Sequence, residues 1–483
     1  MATGIPRTQS NGIGSGHIDP ELSSGMVLHY EGKTPAEQIL RGERRNFSRV
    51  WAGRRSSTMA DGQKRLYFGE NLTALLSLLD DSAICGKVRL VYIDPPFATR
   101  SVFQSRRQVD AYSDLLVGAH YLEFLRNRLI VLRELLAEDG SIYVHLDDKM
   151  ACHVKIIMDE IFGRNQFRNF ITRKKCNPKN YTRKVFGNVA DFILFYTRTD
   201  RYVWNRPIEP WTPERARKEY EYLDPQTGRR YKKVPVHAPG VRHGETGKRW
   251  RGKLPPPGKH WQYAPETLDE LDAKGEIYWS PNGNPRRKVY LDQSEGVAIQ
   301  DIWLTLRDAH NQNIKITGYP TEKNPELLHR IISASSNEGD LVLDCFSGSG
   351  TTLAVANSLN RRWIGIDSSS AAIETTLRRF AHGMSIMGDF VEKKTQTPSE
   401  KMPLPLFGDA APNHSVHRTT HVPITDFSFW SDAECSEHAT RLASEWKSWT
   451  AETEREGATA TALIRGNSST RLDRHAAPDR SRR

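Results

Sequence analysis

The segment LVLDCFSGSGTTLAVANSLNRRWIGID, residues 341–367, constrains the fold more than any other. It sets a short apolar run, a glycine-rich turn, a helix-forming stretch and a second apolar run end to end, closing on Asp367, 23 positions after Asp344. Strand, turn, helix and strand in that order make one unit of a doubly wound α/β sheet, where the turn after the first strand lies at the carboxyl edge. Glycines there let a ligand approach the backbone closely. A nucleoside-containing cofactor suits such an edge, with the second acidic residue placed to accept hydrogen bonds from ribose hydroxyls. The pattern Gly348-Ser349-Gly350 is not G-x-G-x-x-G, and no G-K-[ST] follows, which argues against a dinucleotide or an ATP phosphate site.

The same alternation recurs upstream and implies a mostly parallel sheet. RLYFGENLTALLSLL reads as a strand, a Gly turn and a helix with Leu72, Leu75, Leu76 and Leu79 on one face. VRLVYIDPPFATR reads as a buried strand cut off by Asp94, Pro95, Pro96 and Phe97. Proline lacks an N–H and fixes φ, so the pair ends the ladder and holds a rigid turn. The Asp94 side chain and the Pro95 carbonyl can then accept both hydrogens of one exocyclic amino group, while Phe97 offers a flat face to a heterocycle. The bland alternative is an ordinary strand-ending turn. Residues 111–138 read as a long amphipathic helix stopped by EDG, NFITRKK and DFILFYTR as a hairpin pair, and PELLHRIISASS as a helix. His145 and Asp147 read as the close of a strand beside the pocket rather than as an acid/base pair.

Composition narrows the class. With 37% hydrophobic and 26% charged residues the chain is globular with polar extensions, and no run is apolar enough to span a bilayer, so a cytoplasmic protein without a membrane partner is expected. Five scattered cysteines without a C-x-x-C pair suggest neither disulfides nor zinc, and the histidines show no ligand spacing, so no metal is expected. The net charge of +11 is concentrated: residues 201–260 carry 15 Lys/Arg against 6 Asp/Glu. Arg229, Arg230, Lys232, Lys233, Arg249 and Arg251 stand there among Tyr222, Tyr231, Trp250 and Trp261, a pattern able to neutralise phosphates and probe bases. A solvated basic surface is the alternative. Arg173, Lys174, Lys175 and Lys179 extend the basic set. The boundaries read as a flexible arm over 1–60, a catalytic half over 61–200, a basic insert over 201–300, a cofactor half over 301–390, and an extension over 391–483 whose end is disordered.

The pairing of DPPF with a downstream FSGSG resembles the amino-methylating DNA methyltransferases, which make N6-methyladenine or N4-methylcytosine from S-adenosyl-L-methionine. The order, catalytic motif first, basic insert next and cofactor motif last, is similar to the beta group, which includes the modification subunits of type III restriction systems. The resemblance implies a Rossmann-like S-adenosylmethionine-dependent methyltransferase sheet in circularly permuted motif order, with an inserted target-recognition region and double-stranded DNA as partner. It implies Asp94, Pro95, Pro96 and Phe97 at the reacting base. Asp344, Phe346, Gly348 and Gly350 would line the methionine end of the cofactor, with Asp367 on its ribose and Glu70 and Asn71 flanking its adenine. A homodimer and membership of a restriction or defence system are expected by the same resemblance. Aspartate at position 94 favours adenine over cytosine. The sequence departs from the pattern at Phe97, where tyrosine is commoner, and at Asn324, which separates Lys323 from Pro325.

Overall fold

The computed structural model describes residues 27–53, 64–96, 102–104, 110–113, 118–177, 184–308, 315–317, 322–386 and 422–469. Two compact units emerge: Met1–Asn205 with Asp301–Arg483, and Arg206–Gln300.

The larger unit is built on a 10-stranded sheet. In chain order its strands are β1 (Ser48–Ala52), β2 (Arg65–Phe68), β3 (Val88–Ile93), β4 (Leu136–Leu146), β5 (Phe167–Lys174), β6 (Ala190–Thr197), β7 (Ile302–Trp303), β8 (Leu341–Asp344), β9 (Arg362–Asp367) and β10 (Ser428–Ser431). They lie in the order β1-β10-β2-β9-β8-β3-β4-β6-β5-β7. From β10 to β4 the strands are parallel, whereas β6 runs antiparallel to both its neighbours, β4 and β5. The flanking helices are α1 (Asn71–Leu79), α2 (Ala119–Leu135), α3 (Ala151–Phe162), α4 (Pro325–Ser335), α5 (Thr351–Ser358), α6 (Ser370–His382) and α7 (Ser436–Ser469). Leu90, Val91, Ile93, Leu343 and Ile366 are fully buried, as strands covered on both faces must be.

This topology fixes the location of any ligand. Strands β2, β9, β8, β3 and β4 all point their carboxyl ends to one edge, so Glu70, Asp367, Asp344, Asp94 and Asp147 follow or close neighbouring strands there. Strand β3 continues to β4 on one side and is flanked by β8 on the other, a switch in winding direction of the kind that opens a crevice in a doubly wound sheet.

Several boundaries differ from the sequence reading. Within the arm expected to be flexible, residues 27–53 are folded. Leu28 N–H donates to Glu160 Oε1 at 2.7 Å, Tyr30 Oη to Glu123 Oε2 at 2.6 Å, and β1 forms the sheet's outer edge. The described part of the C-terminal extension, residues 422–469, also joins the fold, because β10 inserts between β1 and β2 and Trp446 of α7 stacks on Trp51 with ring centroids 5.7 Å apart. The long helix begins at Ala119 instead of residue 111, and Asp110–Ser113 is a strand. Nor does EDG separate helix from strand. It falls inside β4, where the register jumps from Val88↔Leu136 to Leu90↔Ser141 and the surplus residues bulge. The hairpin of β5 and β6 and the helix over PELLHRIISASS form as the sequence indicates.

The smaller unit has a 4-stranded antiparallel sheet of Tyr222–Leu223, Arg230–Pro235, Pro285–Tyr290 and Ile277–Trp279. Its core is Val236, Trp250, Trp261, Leu268, Leu271 and Ile277.

Candidate active site

A cavity of about 340 Å³ opens at the carboxyl edge of the larger unit and draws on both sequence motifs. Asp94, Pro95 and Pro96 form one wall, Asp344, Phe346, Gly348 and Asp367 another, and Glu70 and Asn71 a third. Phe97 lies outside the described residues. Gly350 does not line the cavity. It has φ +69, and a Cβ there would meet Thr376 Cγ2 at 2.7 Å, so its part is to seat the loop against α6.

Each wall is held by identifiable bonds. Asp344 Oδ1 accepts the Phe346 N–H at 3.0 Å, and Asp367 accepts the N–H of Gly348 at 2.8 Å and of Ser369 at 2.9 Å, so the two carboxylates brace the glycine loop. A carboxylate oxygen has a second lone pair, which leaves Asp367 acceptor capacity toward the cavity. Burial pushes the Asp344 carboxyl up to about 7 against the hydrogen bonds that lower it, and pushes Asp367 up to about 6. Glu70 has two tasks: Oε2 caps α1 by accepting the Thr73 N–H at 2.8 Å, and Oε1 pairs with Arg128 Nη2 at 2.5 Å.

Arg128, Lys323 and Tyr92 are lining residues that the sequence reading did not single out. Arg128 sits on α2, 5% exposed, donates to Asn71 Oδ1 at 2.5 Å and stacks its guanidinium 3.5 Å from the Phe124 ring centroid. Asn71 in turn donates to the Cys345 carbonyl at 2.8 Å, so one arginine ties the Glu70 turn to the glycine loop. A buried arginine on a helix signals a buried partner, but nothing in sequence says which. Lys323 Nζ lies 2.6 Å from Asp94 Oδ2, and Asp94 Oδ1 is buried without a hydrogen-bond partner among the described residues. Asn324, the departure from the motif, caps α4 by accepting the Glu326 N–H at 2.9 Å. Asp147 accepts the N–H groups of Lys149 and Met150 and so closes β4 into α3.

The basic residues fare differently. Arg173 is fully buried against Asp191 and Asp308 and is closed to phosphate, a correction to its place in the basic set. Lys174 and Lys175 are half-buried at the end of β5, and Lys179 lies outside the described residues. Within the smaller unit Arg229 forks onto Asp292 with both bonds at 2.7 Å, Lys232 meets Glu219 at 2.8 Å, and Arg251 pairs with Asp269 and Asp272. Arg230 reaches the Tyr220 carbonyl, and Lys233 sits 3.5 Å and 3.7 Å from the ring centroids of Tyr222 and Tyr278. Arg249 is exposed and, among the described residues, bonds only the Gly252 carbonyl. Trp250 and Trp261, read as base-probing aromatics, are 2% exposed and form the core of this unit.

A carboxyl-edge cleft with a glycine loop, two carboxylates bracing it and an Asp-Pro-Pro wall marks the larger unit as a Rossmann-like domain. The family described as DNA methylase matches residues 88–378, and the chain belongs to it. Among curated relatives, the type II methyltransferase M.EcaI of Enterobacter cloacae is 46% identical over 387 residues, covering 80% of this chain and 84% of that protein. The type III restriction-modification enzyme StyLTI Mod subunit of Salmonella typhimurium is 26% identical over 380 residues, 70% of this chain but 57% of its own length. A solved M1.HpyAVI–S-adenosylmethionine complex aligns with TM-score 0.36 and 17% identity over 65% of this chain and 98% of that one. No described helix is long and apolar enough to cross a membrane.

Proposed function

We propose that this chain is a site-specific DNA methyltransferase that moves a methyl group from S-adenosylmethionine to the N6 amino group of an adenine flipped out of duplex DNA. The observation that carries the reading is the single cavity shared by Asp94-Pro95 and the Asp344–Asp367 glycine loop. The donor set fits a sulfonium cofactor: Glu70, Asp94, Glu322, Asp344 and Asp367 give the cavity five carboxylates against Arg128 and Lys323, which suits a ligand carrying positive centres, and the buried Ser347 hydroxyl has no partner among the described residues. When bound, S-adenosylmethionine supplies an electrophilic methyl. Asp94 and the Pro95 carbonyl hold both amino hydrogens of the base, which leaves the nitrogen lone pair aimed at the methyl. Positioning and electrostatics account for most of the acceleration, and the cost of extruding the base, roughly a few kcal/mol, is offset by contacts in the cleft. Labelled methyl transfer to unmethylated duplex DNA, followed by nucleoside analysis, tests the reading. N6-methyladenine is expected. N4-methylcytosine would move the assignment to the other exocyclic amine, and no product would leave a DNA-binding subunit without catalysis.

The pH response tests the cofactor site. Burial raises Asp344 and Asp367 above their unfolded values, so they favour the protonated form in the folded state. Their contribution to stability is complete below about pH 4 and is lost as pH rises through about 6 to 7. The free protein should therefore melt at lower temperature at about pH 8 than at about pH 5. A cationic ligand binds the ionised carboxylates better, so the melting shift produced by S-adenosylmethionine should grow across the same interval. A ligand shift that does not depend on pH would place the cofactor away from these two residues.

Double-stranded DNA is the proposed macromolecular partner, with Lys174, Lys175 and the basic residues of the Arg206–Gln300 unit as its phosphate contacts. Exposed ion pairs are worth about 0–1 kcal/mol, so Arg229, Lys232 and Arg251 can trade their carboxylates for phosphates at little gain. Arg249 has no acidic partner among the described residues to give up. Its replacement by alanine should weaken DNA binding and lower the salt slope by about one, more than Arg229→Ala does. Titration of fluorescent duplex at several salt concentrations measures both. A homodimer and a companion nuclease complete the proposal, each open to sedimentation and to co-purification.

A further inference from the structure

The turn that joins β5 to β6 leaves two neighbouring apolar side chains in water. Phe186 is the most exposed large apolar residue among the described residues, at 102%, and Val185 beside it is 70% exposed. A single exposed apolar residue is ordinary, but an adjacent pair on a turn rooted at a catalytic edge points to a partner that covers it.

The sheet register puts the turn at that edge. Ile93 pairs with Val144, so β3 and β4 finish together at Asp94 and His145. Strand β6 runs back along β4 with Leu146↔Phe192, and β5 ends where β6 begins, at Lys174↔Ala190. The turn therefore leaves the sheet on the side that carries Asp94. Both of its legs are tied to residues bordering the cavity. On the outgoing leg Asn177 Oδ1 accepts from the Arg307 guanidinium, and the Arg307 carbonyl accepts from Asn324 Nδ2 at 3.1 Å, next to the lysine that pairs with Asp94. On the return leg Asn188 Nδ2 donates to Asp148 Oδ1 at 2.6 Å, one residue past the close of β4 at Asp147. The Lys175 N–H donates to the Val189 carbonyl at 2.8 Å and closes the neck. Phe186 is thus carried on a rooted arm beside the cavity, yet does not line it.

Charge identifies the class of partner. Residues 174–189 hold five Lys/Arg and no Asp/Glu. A basic arm that bears an apolar pair complements a nucleic-acid duplex, where phosphates flank an apolar stack of bases, better than it complements a protein surface of mixed charge.

We propose that Phe186 is a wedge that enters the base stack of duplex DNA at the place the target base vacates, an inference that rests on the methyl-transfer reading above. Extruding a base leaves a slot of about 3.4 Å, the rise of one nucleotide, with a bare base face on either side. A flat ring in the slot restores stacking on both faces and blocks the return of the base, as apolar wedges inserted between base steps do. Lys184, exposed two residues before the ring, meets the flanking phosphates. Phe186 acts as a positioning residue: it shifts the balance between stacked and extruded base and leaves the chemical step to the groups in the cavity.

The test compares the parent with Phe186→Ala, which removes no buried contact and so keeps the fold, and with Phe186→Trp, which keeps a flat ring. Single-turnover transfer of labelled methyl is measured on a fully paired duplex and on one mismatched at the target base. On the paired duplex Phe186→Ala should be slower by about tenfold or more and Phe186→Trp within about threefold of the parent. On the mismatched duplex, where opening costs less, Phe186→Ala should come within about twofold of the parent. 2-Aminopurine, substituted for each adenine of the bound duplex in turn, brightens where a base leaves the stack, and Phe186→Ala should lose most of that signal on paired DNA. Equal slowing on the two duplexes overturns the wedge, because the loss would then lie in a step after opening, and so does an unchanged rate on the paired one. A parent that methylates neither duplex counts against the proposed function, and the probe then still decides the wedge: a signal that Phe186→Ala leaves intact overturns it.

Discussion

An Asp94→Ala protein is expected to bind duplex DNA as tightly as the parent and to transfer methyl roughly 10³-fold more slowly, or worse. Two effects add. The variant loses the acceptor that orients the amino hydrogens, so the lone pair is no longer directed at the methyl. It also leaves the Lys323 ammonium, now 2.6 Å from Asp94 Oδ2, beside a nitrogen that becomes positive as the bond forms. Asp94→Asn separates the two, because it keeps an acceptor oxygen but removes the charge; it should fall between alanine and the parent. Single-turnover rates with saturating cofactor, set beside fluorescence anisotropy for DNA, read rate and binding independently. An alanine variant within tenfold of the parent would take Asp94 out of the reaction.

What could be read from sequence, and what could not, divides along physical lines. Strands β3, β8 and β9 are short, largely apolar runs that end on or just before an aspartate, and such punctuation is local. The loop from Asp344 to Gly350 and the Asp-Pro-Pro wall were legible for that reason, and their meeting in one cavity follows from parallel strands whose carboxyl ends share an edge. Short strands joined late in the chain were not. Strand β10 is SFWS, four residues with no room for a periodic signal, and it is placed by pairing with β1 and β2 rather than by its own propensity. Bonds between distant residues were equally hidden: Arg128 is separated from Glu70 by 58 positions, and Lys323 from Asp94 by far more. The basic insert shows the opposite error. Sequence counts charges as free, whereas folding supplies Arg229, Lys232 and Arg251 with carboxylates and consumes Trp250 and Trp261 as core.

Ending the chain at residue 421 is expected to abolish the fold of the larger unit, although every residue proposed to touch cofactor or base would remain. Strand β10 pairs with β2 from Arg65↔Ser428 to Phe68↔Ser431, so its loss strips the hydrogen-bonding edge of the strand that leads to Glu70. The same deletion removes Phe427, Phe429 and Leu442, all 0% exposed, with Trp446 at 7% and Trp449 at 9%. At about 1.5–3 kcal/mol for each large buried side chain, these five contribute on the order of 10 kcal/mol, as much as the whole net stability of a typical domain. Trp363 and Phe380, which pack on Phe427 at centroid distances of 5.6 and 5.4 Å, would face water behind α6 and the glycine loop. Trp446→Ala is the graded counterpart. It removes one ring from the stack on Trp51 and should cost about 3–5 kcal/mol, lowering the melting temperature while leaving a folded enzyme at low temperature. Soluble expression and calorimetric melting of the two variants check the pair. A truncated chain that stays soluble and melts cooperatively near the parent would show that β10 and α7 merely decorate a sheet complete without them.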